Sequence, residues 1–551
     1  MTSTSSCSQG LALRTDTDAW WRDAVIYQIY PRSFADRDGD GYGDLPGVIS
    51  KLPYLKELGV DAVWLSPFYR SPMADAGYDV ADYRQVDPLF GATTDAHRLI
   101  EEAHALGLRV VIDLVPNHTS DAHEWFQAAI AAEPGAPERQ RYLIRDGRGP
   151  SGELPPNNWR SLFGGEGWSR LRRPDGTPEQ WYLHLFDVHQ PDLDWNSDLV
   201  KEGFDDILRH WLDLGVDGFR VDVAHSLVKA DGLPDAEEHT RQGNFNLGPM
   251  WDQDGVHDVY RRWRKVLEEY DGDRVLVAEA WIPVPERLAR YVRPDEMHQA
   301  FNFDFLSSAW DAASYRRVIA ETMAANAAVG APTTWVLSNH DVVRHATRLA
   351  REDTSDTEGI SAADPQPDAA LGIRRARAAT LMMLALPGSA YLYQGEELGL
   401  PEHTAVPDDQ RQDPIWFRSE RDQVGRDGCR IPLPWIGDAP GAGFSPTGRT
   451  WLPQPDSYAS LAADRQIGVP GSTWSMYHDA LRLRRELGLG EGELTWVDAD
   501  EHVVAFDNGE VRVLVNVAGA PVPLPGGEVL LASTELSGEL PTDATVWLRH
   551  R

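Results

Sequence analysis

Cysteine is nearly missing from this chain: two occur in 551 residues, Cys7 and Cys429. Two thiols cannot build a disulfide framework, and their scarcity fits a reducing cytoplasm. Basic residues are also short, 52 Lys and Arg against 86 Asp and Glu, for a net charge of −34. A surface that acidic cannot neutralise a phosphate backbone, which excludes nucleic acid as a partner and suits a neutral ligand. Long apolar runs are absent too. The longest candidate, Leu381–Leu386, stops at Pro387, so no membrane span is expected. The opening MTSTSSCSQG has neither a basic region nor an apolar core, so no secretory signal is expected.

What is present is an ordinary soluble composition, 42% hydrophobic and 25% charged, in a chain long enough for two or three domains. Eight apolar, strand-like runs alternate with amphipathic helical stretches. They are Ala24–Tyr30, Ala62–Pro67, Val110–Val115, Gly218–Val223, Val275–Ala280, Ala300–Phe305, Thr334–Asn339 and Ala390–Gly395. Eightfold strand–helix alternation predicts an α/β fold, a parallel (β/α)₈ TIM barrel, closed by a helix over Thr473–Glu486. Two connections are too long for ordinary loops. One, from His118 to about Trp195, follows the third strand and predicts an inserted subdomain; the other runs from about Glu396 to Pro470. After about Leu489 short alternating strands take over, with Asn508-Gly509 as a hairpin signal, and predict a C-terminal antiparallel β-sandwich. The expected division is a barrel over 1–117 and 196–488, an insert over 118–195 and a sandwich over 489–551.

Chemistry is concentrated where the predicted strands end. VVIDLVPNH closes on His118, GFRVD on Asp222, VLVAEAW carries Glu279, and VLSNHD ends on His340 and Asp341. Burying an acid is costly unless something is gained, and barrel enzymes gather their reactive groups at these ends. Arg220 and Asp222, two apart, share one side of a strand, and the guanidinium is expected to keep the acid ionised. Alanines and Trp281 around Glu279 predict an apolar setting that raises its pKa. Each acid alone could equally be a strand-end salt bridge or cap. All of them at successive strand ends point to one site.

In that order and spacing, DLVPNH, GFRVD, the Glu of VLVAEAW and SNHD resemble the four defining segments of the α-amylase superfamily of glycoside hydrolases. The resemblance covers nearly the whole chain. QPDLDW, residues 190–195, is similar to the form found in α-glucosidase and oligo-1,6-glucosidase relatives. The family implies Asp222 as nucleophile, Glu279 as general acid/base and Asp341 as stabiliser of the distorted sugar, with Arg220, His118 and His340 on the same glucose ring. A retaining reaction is implied, which predicts carboxyl groups of Asp222 and Glu279 roughly 5–5.5 Å apart. AGYDVADY resembles the segment that grips a terminal glucose, through Tyr78 and Asp79. GCRIPLPW resembles the one whose arginine, here Arg430, pairs with that aspartate. NNWRSLF would place Phe163 over the leaving group. Together these imply an exo-acting α-glucosidase on short maltose-like substrates.

DRDGDGYGD spaces carboxylates two apart among glycines, as oxygen ligands around a hard cation require. The family's α-glucosidases carry a similar structural site, implying Ca²⁺, or Mg²⁺ in its place, on Asp36, Asp38, Asp40, the Tyr42 carbonyl and Asp44. No organic cofactor is implied. Linkage stays open: Val223 resembles the α-1,6 type, but Ala224-His225 and GRDGCRIPLPW depart from it, and α-1,4 is favoured. An α-glucosyltransferase or sucrose-active relative with the same site is the alternative. Monomer and dimer both remain open.

Overall fold

The computed structural model describes residues 19–237, 241–242 and 245–550. Cys7 and the N-terminal stretch read for a secretory signal lie outside the described residues. Eight parallel strands form one sheet: β1 (Val25–Ile29), β2 (Ala62–Leu65), β3 (Arg109–Leu114), β4 (Gly218–Val221), β5 (Val275–Ala278), β6 (Gln299–Ala300), β7 (Thr334–Val336) and β8 (Ser389–Tyr393). Their spatial order is β6-β5-β4-β3-β2-β1-β8-β7. The Asn302 amide donates to the Thr334 carbonyl at 3.1 Å across the remaining seam, so the barrel closes. Nearly every strand residue is buried, as expected where helices cover one face and side-chain layers fill the other.

Two sequence expectations change. The sixth strand is only Gln299–Ala300, because Asn302 caps a short helix, Phe303–Leu306, by accepting from the Phe305 amide at 2.9 Å. In the C-terminal hairpin Asn508 pairs with Val511, so the two-residue turn is Gly509-Glu510 and the positive φ of 59° falls on glycine. That hairpin belongs to a five-stranded antiparallel sheet with Leu494–Trp496, Glu528–Ala532 and Ala544–Arg549. The Trp547 indole donates to the Leu381 carbonyl and the Thr545 hydroxyl to that of Ala378, tying the sheet to the helix Ala369–Leu384.

The long connection after β3 holds its own antiparallel sheet of Ile144–Arg145, Trp168–Arg172 and Pro178–Leu183. The connection after β8 reaches it through Arg418, whose guanidinium lies 3.2 Å from Asp187. These two segments therefore meet across the rim on which the strand-end acids stand.

Candidate active site

Strand register sets the level of the acids. Arg220 of β4 stands opposite Asp113 of β3 and Val277 of β5. The ladder runs one residue beyond the strands: the Asp222 amide donates to Leu114 and the Glu279 amide to Val221. Both carboxylates therefore leave the sheet at the same height. Arg220 joins them, with Nη1 2.6 Å from Asp222 and Nη2 3.1 Å from Glu279. The same Nη1 also lies 2.7 Å from Asp113.

Sharing one guanidinium among three acids corrects the expectation for Asp222. Burial, with Glu279, Asp113 and Asp341 close by, outweighs Arg220 and pushes the Asp222 carboxyl well above the usual range. Asp113 is raised by burial to about 6. The predicted apolar setting of Glu279 is also corrected, since three donors meet it. Besides Arg220, the Trp281 indole donates to Oε1 at 2.9 Å and the Val223 amide to Oε2 at 2.7 Å. Val223 adopts φ 44°, a left-handed conformation that β-branched residues avoid. Strain of about 1–3 kcal/mol is typical of such a residue at a functional site, and here that conformation accompanies the amide contact to Glu279.

The fourth acid is held from another side. Arg426 Nη1 lies 3.0 Å and Arg430 Nη2 2.9 Å from one Asp341 oxygen. Burial opposes ionisation of Asp341, but the positive groups around it outweigh burial and hold the carboxyl below the usual range. Burial keeps the His340 imidazole neutral near pH 7, so the two guanidiniums carry that effect. Asp341 retains 28% side-chain exposure, against 8% for Asp222 and 10% for Glu279, and so faces the opening.

Tyr78 and His340 form one wall, rings stacked at 5.3 Å and Tyr78 Oη 2.6 Å from His340 Nε2. The Tyr78 hydroxyl also donates to Asp113 at 3.0 Å. His118 adjoins that wall, its Nε2 3.2 Å from the Tyr78 carbonyl, and Gln190 bridges His118 at 3.1 Å and Asp75 at 3.2 Å, which gives the QPDLDW segment a place on the rim. Burial drives His118 to a pKa of about 3, hence neutral.

The expected Asp79–Arg430 pair is not formed. Asp79 is fully buried and accepts the Ala74 and Asp75 amides at 2.8 and 2.9 Å, so it shapes the loop from within. Its neighbour Asp75 meets Arg426 at 2.8 Å, while Arg430 turns to Asp341 and to the His340 carbonyl. Sequence reading missed Asp75, Arg426, Asp113 and Asp413, the last paired with Arg426 Nε at 2.7 Å. ADAGYDV offers two aspartates, and the spacing of Asp75 from Tyr78 was the available signal. Phe163 packs edge-on against Phe186 at 5.6 Å, with Arg426 5.2 Å from its ring, which brings the insert to the mouth.

In the acidic loop, oxygens of Asp36, Asp38 and Asp40 lie within 4.8 Å of one another. Gly39 and Gly41, at φ 89° and 100°, let the chain wrap them. An all-oxygen, like-charged set fits a hard cation. Asp44 differs from expectation: its carboxylate caps the helix Leu45–Leu58, accepting from Gly47, Arg37 and Asp38 amides.

The sequence model of the α-amylase catalytic domain matches residues 28–490, which include every strand-end acid above. The chain belongs to the α-amylase family. It is accordingly a glycoside hydrolase. A protein of Rhizobium meliloti (strain 1021) named "Probable alpha-glucosidase" is 38% identical over 531 residues, 92% of this chain and 90% of that relative. The oligo-1,6-glucosidase of Heyndrickxia coagulans is 33% identical, covering 94% and 96%. Among solved structures, the alpha-glucosyl transfer enzyme XgtA superposes with a TM-score of 0.83 at 36% identity, covering 97% of this chain and 99% of that one.

Proposed function

We propose that this family member is a retaining, exo-acting α-glucosidase that releases glucose from the non-reducing end of short maltose-like α-glucosides. The observation that carries the reading is Arg220 bonded at once to Asp222 and Glu279, which holds two carboxyl groups together at the ends of neighbouring strands. In the proposed reaction the proton of the crowded acids resides on Glu279, so that Asp222 attacks the anomeric carbon as a carboxylate while Glu279 delivers that proton to the glycosidic oxygen. A covalent glucosyl ester forms and the leaving sugar departs as an alcohol. Glu279 then takes a proton from water, which attacks the same carbon and frees Asp222. Two inversions return the original α-configuration. Asp341, held ionised by two arginines, binds the ring hydroxyls and steadies the charge that develops on the sugar. Arg220, Tyr78, His118 and His340 position the ring.

The Asp75–Arg426 pair supports exo action. It is a charged end wall, with hydrogen-bonding groups that suit the hydroxyls of a terminal glucose. Phe163 stands where the leaving group exits. α-1,4 links are the favoured target, and α-1,6 links are a second one, in keeping with the name of the oligo-1,6-glucosidase relative. A sugar hydroxyl replacing water as acceptor would turn the same site to glucosyl transfer, a reading favoured by the likeness to a transfer enzyme. Asp36, Asp38 and Asp40 would hold structural Ca²⁺, or Mg²⁺, and supply no chemistry to the reaction.

A cytoplasmic location is in keeping with Cys429 as a buried free thiol. Incubation with maltose, isomaltose, sucrose and trehalose tests the substrate reading. Glucose as the sole product from maltose is expected, and an inert protein would end the proposal.

A further inference from the structure

Arg32 follows β1 in the turn Pro31–Ser33 and is 6% exposed, yet no acid among the described residues pairs with it. Its guanidinium lies 4.4 Å from the Trp451 ring and 5.2 Å from that of Tyr42. Aromatic faces stabilise the flat side of a guanidinium but leave its edge donors unmet. Nε is buried without a partner, in a chain whose basic residues are scarce. A buried charge in that state is expensive, and a ligand that met the Nη groups, which also have no partner among the described residues, would offset the cost.

A cavity of about 330 Å³ opens beside it, lined also by Arg430, Asp413 and Asp427. It shares Arg430 with the proposed sugar site, where that residue holds Asp341. Arg430 spends Nε on the His340 carbonyl and Nη2 on Asp341, which leaves Nη1 without a partner among the described residues. The two carboxylates of the cavity are already engaged. Asp413 accepts from Arg426 Nε and from the Arg426 and Ile415 amides. Asp427 Oδ2 accepts the Gln412 and Asp413 amides at 2.8 and 3.2 Å. Two cations with unmet donors thus share a space with two acids, of which Asp413 accepts on both oxygens and Asp427 on Oδ2.

We infer that this cavity is a binding site for a tetrahedral oxyanion of the phosphate type, held by Arg32 with Arg430 as second donor. Planar guanidinium forks match the oxygen spacing of such anions, and the volume accommodates one with several waters. The anion would come either as free phosphate or on a sugar phosphate. The inference stands apart from the hydrolytic reading, because binding is measured without turnover.

Isothermal titration of the full-length protein with inorganic phosphate, glucose 6-phosphate and chloride, at constant ionic strength, tests it. Saturable phosphate binding near one equivalent is expected, with Arg32→Gln weakening it at least tenfold and Arg32→Lys restoring part of it. Tighter binding of glucose 6-phosphate that also depends on Arg32 identifies the sugar-borne source, and equal binding the free ion. No saturable binding, or binding unchanged in Arg32→Gln, overturns the proposal. Should Arg32→Gln fail to fold, crystals of the unaltered protein grown in phosphate decide: oxyanion density beside Arg32 supports the site, and water alone there overturns it.

Discussion

Asp75 and Arg426, 351 residues apart, meet with carboxylate and guanidinium 2.8 Å from each other. Arg426 also touches Asp341 and Asp413, so one cation serves three acids at the closed end of the site. Removing it leaves buried charges unpaired. Arg426→Ala is expected to lower kcat/KM for maltose at least 100-fold and to cost about 3–5 kcal/mol of stability. Steady-state kinetics and chemical denaturation of the same preparation check both, and unaltered maltose kinetics would remove the pair from the end wall.

Asp222 and Arg220 give a prediction that separates chemistry from folding. Four carboxyl groups (Asp113, Asp222, Glu279 and Asp341) crowd a site where Arg220 is shared by three. Asp222→Asn deletes the nucleophile and relieves repulsion. Turnover should fall on the order of 10⁴-fold or more, while the melting temperature holds or rises. A variant that keeps substantial turnover rules out the proposed nucleophile.

Away from the site, Glu396 carries a pH dependence. Burial, with Glu397 nearby, raises its carboxyl to about 8, from an ordinary 4.5. A raised acid holds its proton in the fold and loses it in the unfolded chain. Stability therefore declines as pH climbs from about 4.5 to 8, by roughly 1.4 kcal/mol for each pH unit. Glu396→Gln should accordingly stabilise the protein more at pH 8 than at pH 5. Denaturant titrations at both pH values measure it, and an equal effect at both contradicts the assignment.

The acidic loop predicts stabilisation by a hard cation. Saturating Ca²⁺ should raise the melting temperature of chelator-treated protein, and about 2.7 kcal/mol is expected at a hundredfold excess over Kd. The Asp38→Asn, Asp40→Asn double variant should lose that response. A response that survives the double variant places the cation elsewhere.

Much of this was legible before the structure. Barrel strands buried on both faces read as continuous apolar runs, and the acids that end them stand out because burial makes such residues costly. β6 was expected in its place but read too long, because most of the Phe-rich run that suggested it is a capped helix, and two residues of strand carry no period. The end wall was misassigned because Asp75 and Asp79 share one short loop. Which of them faces the cavity depends on the backbone fold, where Asp79 is consumed by two amides. The setting of Glu279 was beyond reach for the same reason. Its partners include a backbone amide made available by the unusual conformation of Val223, which no side-chain pattern announces.

The most direct test of the central claim is the anomeric form of the first glucose released from maltose, followed by proton NMR before mutarotation. The mechanism on Asp222 and Glu279 predicts α-glucose as the initial product. β-Glucose appearing first would mean direct attack by water and would contradict a covalent intermediate on Asp222.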